Sequence, residues 1–265
     1  MSEIESDLLG KNVVVLGAAG HLGRHLCARL VSIGANLVLI DKSEIGLDAL
    51  KLSFSGNTTS EIKAIRCDLE IVNHRTEVFS HLTKLYPQIH GLVNCASFVG
   101  DSNLFGWNVA FENQSVDTWR RALEVNLTSI FEICQILIPS LRSAKGASIV
   151  NVGSIYGEKG PRWDLYTETS LGNPAAYAVS KGGLIQLTRW LATTLAPNVR
   201  VNSVIAGGIE RDQPEIFKAK YCRDVPLGRM ATETDLIGPI IFLLSSVSSY
   251  ITGEALHVDG GRGVW

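Results

Sequence analysis

The stretch NVVVLGAAGHLG, residues 12–23, decides the fold, and an apolar pattern at helical spacing follows it at once. Its first five residues form a continuous apolar run, as in a strand covered on both faces. The glycines after this run allow a tight turn and a close approach of the backbone to a phosphate, and the start of the next helix favours an anion. This order of strand, glycine loop and helix is typical of dinucleotide-binding sites.

Outward from this stretch, short apolar runs alternate with helical patterns along the whole chain. The predicted strands are residues 12–16, 36–40, 62–66, 91–94, 148–152, 199–204 and 255–258, and the predicted helices are residues 23–33, 72–86, 126–142 and 175–196. This alternation predicts an α/β fold, a Rossmann-like doubly wound parallel sheet of about seven strands with helices on both faces. Because no linker or repeat interrupts it, we expect one domain over residues 1–265.

The composition narrows the classes of function. The chain has 265 residues, of which 46% are hydrophobic and 19% charged, and these values suit a globular protein with one large core or two small ones. Its 24 basic and 26 acidic residues give a net charge of −2. Such a chain offers no basic field for nucleic acid or for an anionic membrane, so we expect neither as a partner.

The termini, apolar windows and cysteines bear on the compartment. The first ten residues, MSEIESDLLG, carry acidic residues where a secretory signal carries basic ones. The most apolar window, residues 236–244, is shorter than a membrane-spanning helix and contains Gly238 and Pro239. The five cysteines are odd in number and never spaced as CxxC, which predicts reduced thiols. We therefore expect a cytoplasmic protein.

Asp41 ends the second predicted strand, 18 residues after Gly23. A carboxylate at this point accepts hydrogen bonds from both ribose hydroxyls of an adenosine and repels a 2′-phosphate, so we predict NAD rather than NADP. The neighbouring Lys42 offsets part of that repulsion. His21 and His25 have a spacing that suits zinc, but they lack a third ligand nearby in sequence, and we expect no metal site.

A second motif follows the predicted fifth strand. Tyr177 and Lys181 lie four residues apart at the start of a predicted helix and therefore share a face. A lysine ammonium there favours the phenolate and lowers the pKa of Tyr177 toward the range of a general acid and base. Ser154, at a strand end, is placed to hold a substrate oxygen. Asn126, predicted at the start of another helix, is placed to order water next to Lys181.

Three stretches, at about 98–116, 155–174 and 209–229, are predicted as substrate loops. Each follows a predicted strand, and loops at the carboxyl ends of parallel strands surround the ligand crevice. Their charges and aromatic rings favour a polar, hydroxylated substrate, with a sugar or an acidic sugar as candidates. The alternative, that these charges only solvate exposed loops, stays open. The predicted substrate contacts are Tyr156, Arg162, Trp163 and Arg211.

With these motifs together, the chain resembles the compact single-domain branch of the short-chain dehydrogenase/reductase family along nearly its whole length. GAAGHLG resembles the phosphate loop of the family, YAVSK its YxxxK motif, and VDGG the end of its last strand. The resemblance implies a catalytic tetrad of Asn126, Ser154, Tyr177 and Lys181. It implies cofactor contacts at Gly17, Gly20, His21, Leu22, Gly23, Asp41, Lys42, Asp68, Leu69, Asn94, Cys95, Ala96, Tyr177, Lys181, Gly207 and Ile209.

The resemblance also implies an NAD(P)-dependent oxidoreductase that interconverts a secondary alcohol and a ketone, and NADP is the less favoured cofactor. It implies, in addition, a homodimer or homotetramer. Through SIYG, WDLYTETS and GGIERDQPEIF the chain is similar to short-chain enzymes of bacterial surface-sugar and nonulosonic-acid pathways. Two alternatives stay open: a catalytically silent dinucleotide-binding sensor or scaffold, and a sugar-nucleotide epimerase or dehydratase that recycles its NAD internally. The GxxGxxG spacing of the phosphate loop favours the second.

Overall fold

A computed structural model describes residues 7–56, 59–99 and 104–264. These residues form a seven-stranded sheet, in the order β3-β2-β1-β4-β5-β6-β7, in which every neighbouring pair is parallel. The strands are β1 Asn12–Leu16, β2 Asn36–Asp41, β3 Ile62–Arg66, β4 Gly91–Asn94, β5 Ala147–Ser154, β6 Val199–Ala206 and β7 Ala255–Val258. The predicted doubly wound parallel sheet is confirmed, and β5 and β6 extend beyond the predicted bounds.

The helices cover both faces of this sheet. They are α1 His21–Ser32, α2 Glu44–Ser53, α3 Val72–Leu85, α4 Val116–Leu123, α5 Ser129–Ser143, α6 Ala175–Leu195, α7 Glu215–Arg223 and α8 Glu233–Leu244. The sequence analysis missed α2, α7 and α8. The apolar window with Gly238 and Pro239 belongs to α8, which begins at a capping box of Thr232 and Asp235.

The predicted start of the 126–142 helix is wrong. The helical chain begins ten residues earlier, at Val116, and a π-helical turn, Glu124–Thr128, joins α4 to α5. A π turn takes one extra residue, so the apolar spacing shifts there and a new helical pattern begins after it. By length and composition the stretch Val116–Ser143 is long and apolar enough to cross a membrane, as buried core helices also are. Here it packs against α3 and α6.

Successive side chains of β1 point to opposite faces of the sheet, and each face has its own hydrophobic core. Val13 and Val15 pack with α1 and α8, while Val14 and Leu16 pack with α3 and α5. All four side chains are fully buried. Since both faces are covered by helices, the carboxyl edge of the sheet is where a ligand reaches the strands.

The three predicted substrate loops lie at this edge and contact one another. Residues 100–103 of the 98–116 loop fall outside the described residues. Trp107 anchors the rest of that loop, because its indole N–H donates to the Val99 carbonyl at 2.7 Å. Asn108 donates to the Ser170 carbonyl of the 155–174 loop. The 209–229 loop is partly helical, since it contains α7.

Candidate active site

A cavity of about 860 Å³ runs along the carboxyl edge of the sheet. The glycine loop forms one end, the Tyr177 helix the middle, and the three loops the other end. The predicted site residues that line it are Gly17, Gly20, His21, Leu22, Asp41, Lys42, Asp68, Leu69, Cys95, Ala96, Ser154, Tyr156, Tyr177, Lys181, Gly207, Ile209 and Arg211. Those that do not line it are Gly23, Asn94, Asn126, Arg162 and Trp163.

The glycine loop is shaped by close backbone packing. Gly17 has φ +76°, and a Cβ on it would come within 2.7 Å of the Ala96 backbone. A Cβ on Gly23 would collide with the Gly17 carbonyl oxygen. Gly23 therefore allows α1 to pack beneath the loop. No side chain caps the start of α1 at Gly20, so the first N–H groups of the helix are free to bind an anion.

Asp41 is joined to this loop. One carboxylate oxygen accepts from the Ala19 N–H and the other from the Ser43 N–H, both at 3.0 Å. These bonds fix the carboxylate where the cavity passes the end of β2. Each oxygen keeps a further lone pair for a hydroxyl donor. The cradle without Cβ atoms and the carboxylate beside it fit the pyrophosphate and ribose of a dinucleotide.

Asn94, one of the predicted cofactor contacts, does not line the cavity. Its side-chain amide donates to the Asn151 side chain, which donates in turn to the Thr188 hydroxyl at 2.8 Å. Asn94 and Asn151 are paired in register on β4 and β5, so the amide lies inside the sheet. The next two residues, Cys95 and Ala96, line the cavity instead.

Lys181 is buried at the centre of the site, with 3% of its surface exposed. Its ammonium donates to the Val152 carbonyl at 3.0 Å and lies 5.8 Å from the centre of the Tyr177 ring. Burial disfavours the charged form and lowers the pKa of Lys181 to about 8. The predicted pairing of Tyr177 with Lys181 on one helix face is therefore present.

The pKa of Tyr177 differs from the expectation. Burial of the phenol raises its pKa above the ordinary value, and a hydrogen bond with Ser154 lowers it only in part. The neighbouring Tyr156 raises the pKa of Tyr177 further, and the expected lowering by Lys181 does not contribute. At neutral pH Tyr177 is a protonated phenol, which is the form that donates a proton.

Asn126 occupies the π turn and is buried. Its carbonyl oxygen accepts from the Phe98 N–H at 2.6 Å, and its amide donates to the Ser180 hydroxyl at 3.0 Å. It thus joins the segment after β4 to α6 beside Lys181. These bonds indicate a positioning role, whereas the sequence analysis placed Asn126 at a water chain to Lys181.

Two of the four predicted substrate contacts, Arg162 and Trp163, do not line the cavity. Arg162 pairs with Asp164 and, at 2.6 Å, with Asp224, outside the cavity. Trp163 is 61% exposed. Both belong to a loop whose charges satisfy each other, and nothing in the local sequence identified Asp224 as a partner.

Arg211 and Tyr156 do line the cavity. Arg211 pairs with Glu233 at the start of α8, and the Tyr156 hydroxyl shares a hydrogen bond with the Tyr166 hydroxyl at 2.5 Å. Phe98, Leu171 and Gln213 are among the lining residues that were not predicted. All three lie in the predicted loops, but no motif distinguished them from their neighbours.

Among residues 7–56, 59–99 and 104–264, no group of three His, Cys, Asp or Glu side chains is arranged to hold a metal ion. The five cysteines are free thiols. Cys95 lines the cavity, and burial raises the pKa of its thiol to about 12.

Comparison with known proteins places this geometry in context. A family model described as enoyl-(acyl carrier protein) reductase matches residues 17–262. Post-translational flagellin modification protein A of Campylobacter coli is 29% identical, over 97% of this chain and 100% of that protein. A 3-oxoacyl-(acyl-carrier-protein) reductase FabG of Chlamydia pneumoniae is 32% identical, over 96% of this chain and 97% of that protein.

Among solved structures, a short-chain dehydrogenase of Leptospira borgpetersenii with bound NAD+ is similar with a TM-score of 0.86 and 29% identity. The match covers 99% of this chain and 96% of that one. The likeness therefore extends over nearly the whole of both chains.

Proposed function

Because the chain belongs to the short-chain dehydrogenase/reductase family, an oxidoreductase family, we propose that it interconverts a secondary alcohol and a ketone with NAD(H). One observation carries this proposal: Ser154, Tyr177 and Lys181 line the same cavity as the glycine loop. A sensor that only binds a dinucleotide has no use for these three groups together at the centre of the site.

In the reductive direction Tyr177 is the general acid. As a protonated phenol it donates its proton to the carbonyl oxygen of the substrate, while the Ser154 hydroxyl donates a hydrogen bond to the same oxygen. Lys181, cationic below its pKa of about 8, stabilises the phenolate that is left behind. The nicotinamide, when bound, supplies the hydride to the carbonyl carbon or accepts it in the reverse direction.

The residues fit a dinucleotide along the length of the cavity. We assign the pyrophosphate to the glycine loop, the adenosine ribose to Asp41, and the adenine to Asp68 and Leu69. Lys181 and Tyr177 hold the nicotinamide ribose, with Gly207 and Ile209 against the ring. The Asp41 carboxylate favours NAD over NADP, and Lys42, which also lines the cavity, reduces that preference.

The substrate end favours a polar, hydroxylated substrate with an anionic group, such as an acidic sugar. Arg211 supplies a guanidinium to the cavity wall, and Gln213 and the Tyr156 hydroxyl supply hydrogen-bonding groups. In the unliganded protein Glu233 neutralises Arg211. A substrate carboxylate replaces Glu233 as the partner of the guanidinium.

We extend the proposal to a single domain, a homodimer or homotetramer, and a cytoplasmic location. Phe131 on α5 and Trp190 on α6 leave 45% and 55% of their surfaces exposed, which supports burial of these helices between subunits. The free thiols support a reducing compartment. Light scattering of the purified protein tests the oligomer, and fractionation of cells tests the location.

The activity is tested by titrating the protein with NADH and NADPH and then following nicotinamide absorbance with a panel of keto-sugars, acidic sugars and polyols. We expect tighter NADH binding and net oxidation of NADH by a keto substrate. Binding without turnover of any substrate would favour the sensor. Conversion of a sugar nucleotide without net consumption of NADH would favour the epimerase or dehydratase.

A further inference from the structure

Arg75, on α3, is a buried cation that the proposed reaction does not use. It is 1% exposed, and its guanidinium has three partners. Nε pairs with Glu132 and Nη2 with Glu124, each at 2.6 Å, while Nη1 donates to the Leu69 carbonyl. A charge with so little exposure is stable only where it is paired and hydrogen-bonded, and each of the three guanidinium nitrogens has an acceptor here.

The partners of Arg75 belong to two parts of the proposed active site. Leu69 belongs to the adenine segment, Asp68 and Leu69, which follows β3 and lines the end of the cavity assigned to the adenine. Glu124 begins the π turn that carries Asn126, and Glu132 lies in the first turn of α5, directly after it. One guanidinium therefore holds the adenine segment, the π turn and the start of α5 together.

The π turn leads from Arg75 to the catalytic side chains. Asn126, two residues after Glu124, bonds to Phe98 and to Ser180, which precedes Lys181. A π turn is a costly interruption of a helix and frequently marks a functional site. The guanidinium of Arg75 holds the first residue of this turn, Glu124, two residues before Asn126.

A second link runs parallel to the first. Arg121 of α4 makes two bonds to Glu70, of 2.5 and 3.1 Å, and its guanidinium lies 5.2 Å from the centre of the Phe98 ring. This link is more exposed, with 46% of the Arg121 side chain accessible. Water competes for its charges, so we expect Arg75 to dominate.

We propose that Arg75 is a positioning residue, which fixes the π turn and Asn126 relative to the adenine segment. It thereby couples cofactor binding to the geometry of α6, the helix that carries Tyr177 and Lys181. The inference rests on the proposed function for its kinetic consequence. Its structural consequence, a defined environment of the Asn126 amide, does not depend on any substrate.

The first test is spectroscopic. The Asn126 side-chain amide is assigned in ¹H–¹⁵N spectra through its loss in Asn126→Ala. In Arg75→Met, which keeps an apolar chain and removes the three donors, we expect this signal to shift and broaden. In Arg120→Met, an exposed arginine on α4, it stays in place. An unchanged Asn126 signal in folded Arg75→Met would overturn the proposal.

Two milder variants address a failure of Arg75→Met to fold. Glu124→Gln keeps an oxygen acceptor but removes the charge at the π turn, and Arg75→Lys keeps the charge but loses the fork. We expect both to shift the Asn126 signal in the same direction, by less. A shift in neither would also overturn the proposal.

The second test is kinetic and uses a substrate found with the panel. We expect kcat of Arg75→Met to fall by about 10²-fold, as for a small misplacement of reacting groups. The KM of the substrate stays within about twofold, because the partners of Arg75 do not include Arg211, Gln213 or Tyr156, which are proposed to bind the substrate, and the Kd of AMP rises. An unchanged kcat would contradict the coupling, whereas turnover by no form of the protein would contradict only the proposed function.

Discussion

Two ends of one cavity are built in different ways. The cofactor end, residues 17–23, 41–42 and 68–69, consists of strand ends and one glycine loop whose backbone atoms pack against each other. The substrate end consists of the three loops, joined by contacts between residues distant in sequence. Lys220 of the 209–229 loop, for example, donates to the Thr167 carbonyl of the 155–174 loop at 3.0 Å.

This difference shows what each end can recognise. A cradle of backbone N–H groups recognises a phosphate group of the cofactor, which is the same whatever the substrate. Side chains on loops recognise features that differ between substrates and can change without disturbing the sheet. We therefore expect substitutions at the two ends to separate cofactor binding from substrate choice.

Tyr177 lies between the two ends of the cavity, and we expect Tyr177→Phe to separate turnover from cofactor binding most strongly. Removal of the hydroxyl removes the proton donor but leaves the ring against Lys181, so kcat falls by about 10³-fold, within the range of general acid–base catalysis. The Kd of NADH stays within about threefold. Stopped-flow turnover and fluorescence titration measure the two quantities. Comparable losses in both would contradict the assignment of Tyr177 as the acid.

The substrate end is tested by Arg211→Gln. Loss of a hydrogen bond to a charged group costs about 2 kcal/mol, so KM for an acidic substrate rises by about 30-fold, with the Kd of NADH unchanged. Arg229→Gln is the matched control, because Arg229 also pairs with the first turn of α8, through Asp235. Equal KM for the two variants would remove the anion from the proposed substrate.

The same contrast explains what the sequence could predict. The glycine loop, Asp41 and the Tyr177–Lys181 pair were identified because local spacing determines their placement. Arg162 was assigned to the substrate because its partner, Asp224, lies 62 residues away and no local pattern identifies it. The π turn was missed because it changes the apolar periodicity from which helices are identified. The pKa of Tyr177 depends on burial, which spacing does not give.

The cofactor end is tested by Asp41→Asn, which removes the charge and keeps one acceptor. We expect the ratio of NADPH to NADH affinity to rise by about tenfold, since the repulsion of a 2′-phosphate is lost and Lys42 remains. KM for the substrate does not change. Asp48→Asn, on the exposed surface of α2, is the control. A rise in substrate KM would show that the two ends are not separable.

The smallest effect concerns Lys181, where the two ends meet. Its pKa is about 8 in the folded protein and 10.5 as an ordinary lysine, so below pH 8 both states are protonated and the cost of burying the ammonium is complete. Above pH 8 the folded protein loses this proton and the unfolded chain keeps it, so the free energy of unfolding rises with pH.

Between pH 8 and 9 the Lys181 contribution is about 1 kcal/mol. Urea unfolding of Lys181→Met measures it by difference, because the variant lacks the rise and is the more stable form at pH 7. The comparison ends at pH 9. Above this pH, buried thiols such as Cys67, with a pKa raised to about 11, lower the free energy of unfolding as the pH rises. Identical pH profiles for variant and parent would show that burial does not lower the pKa of Lys181. The buried ammonium would then not reduce the free energy of unfolding at neutral pH.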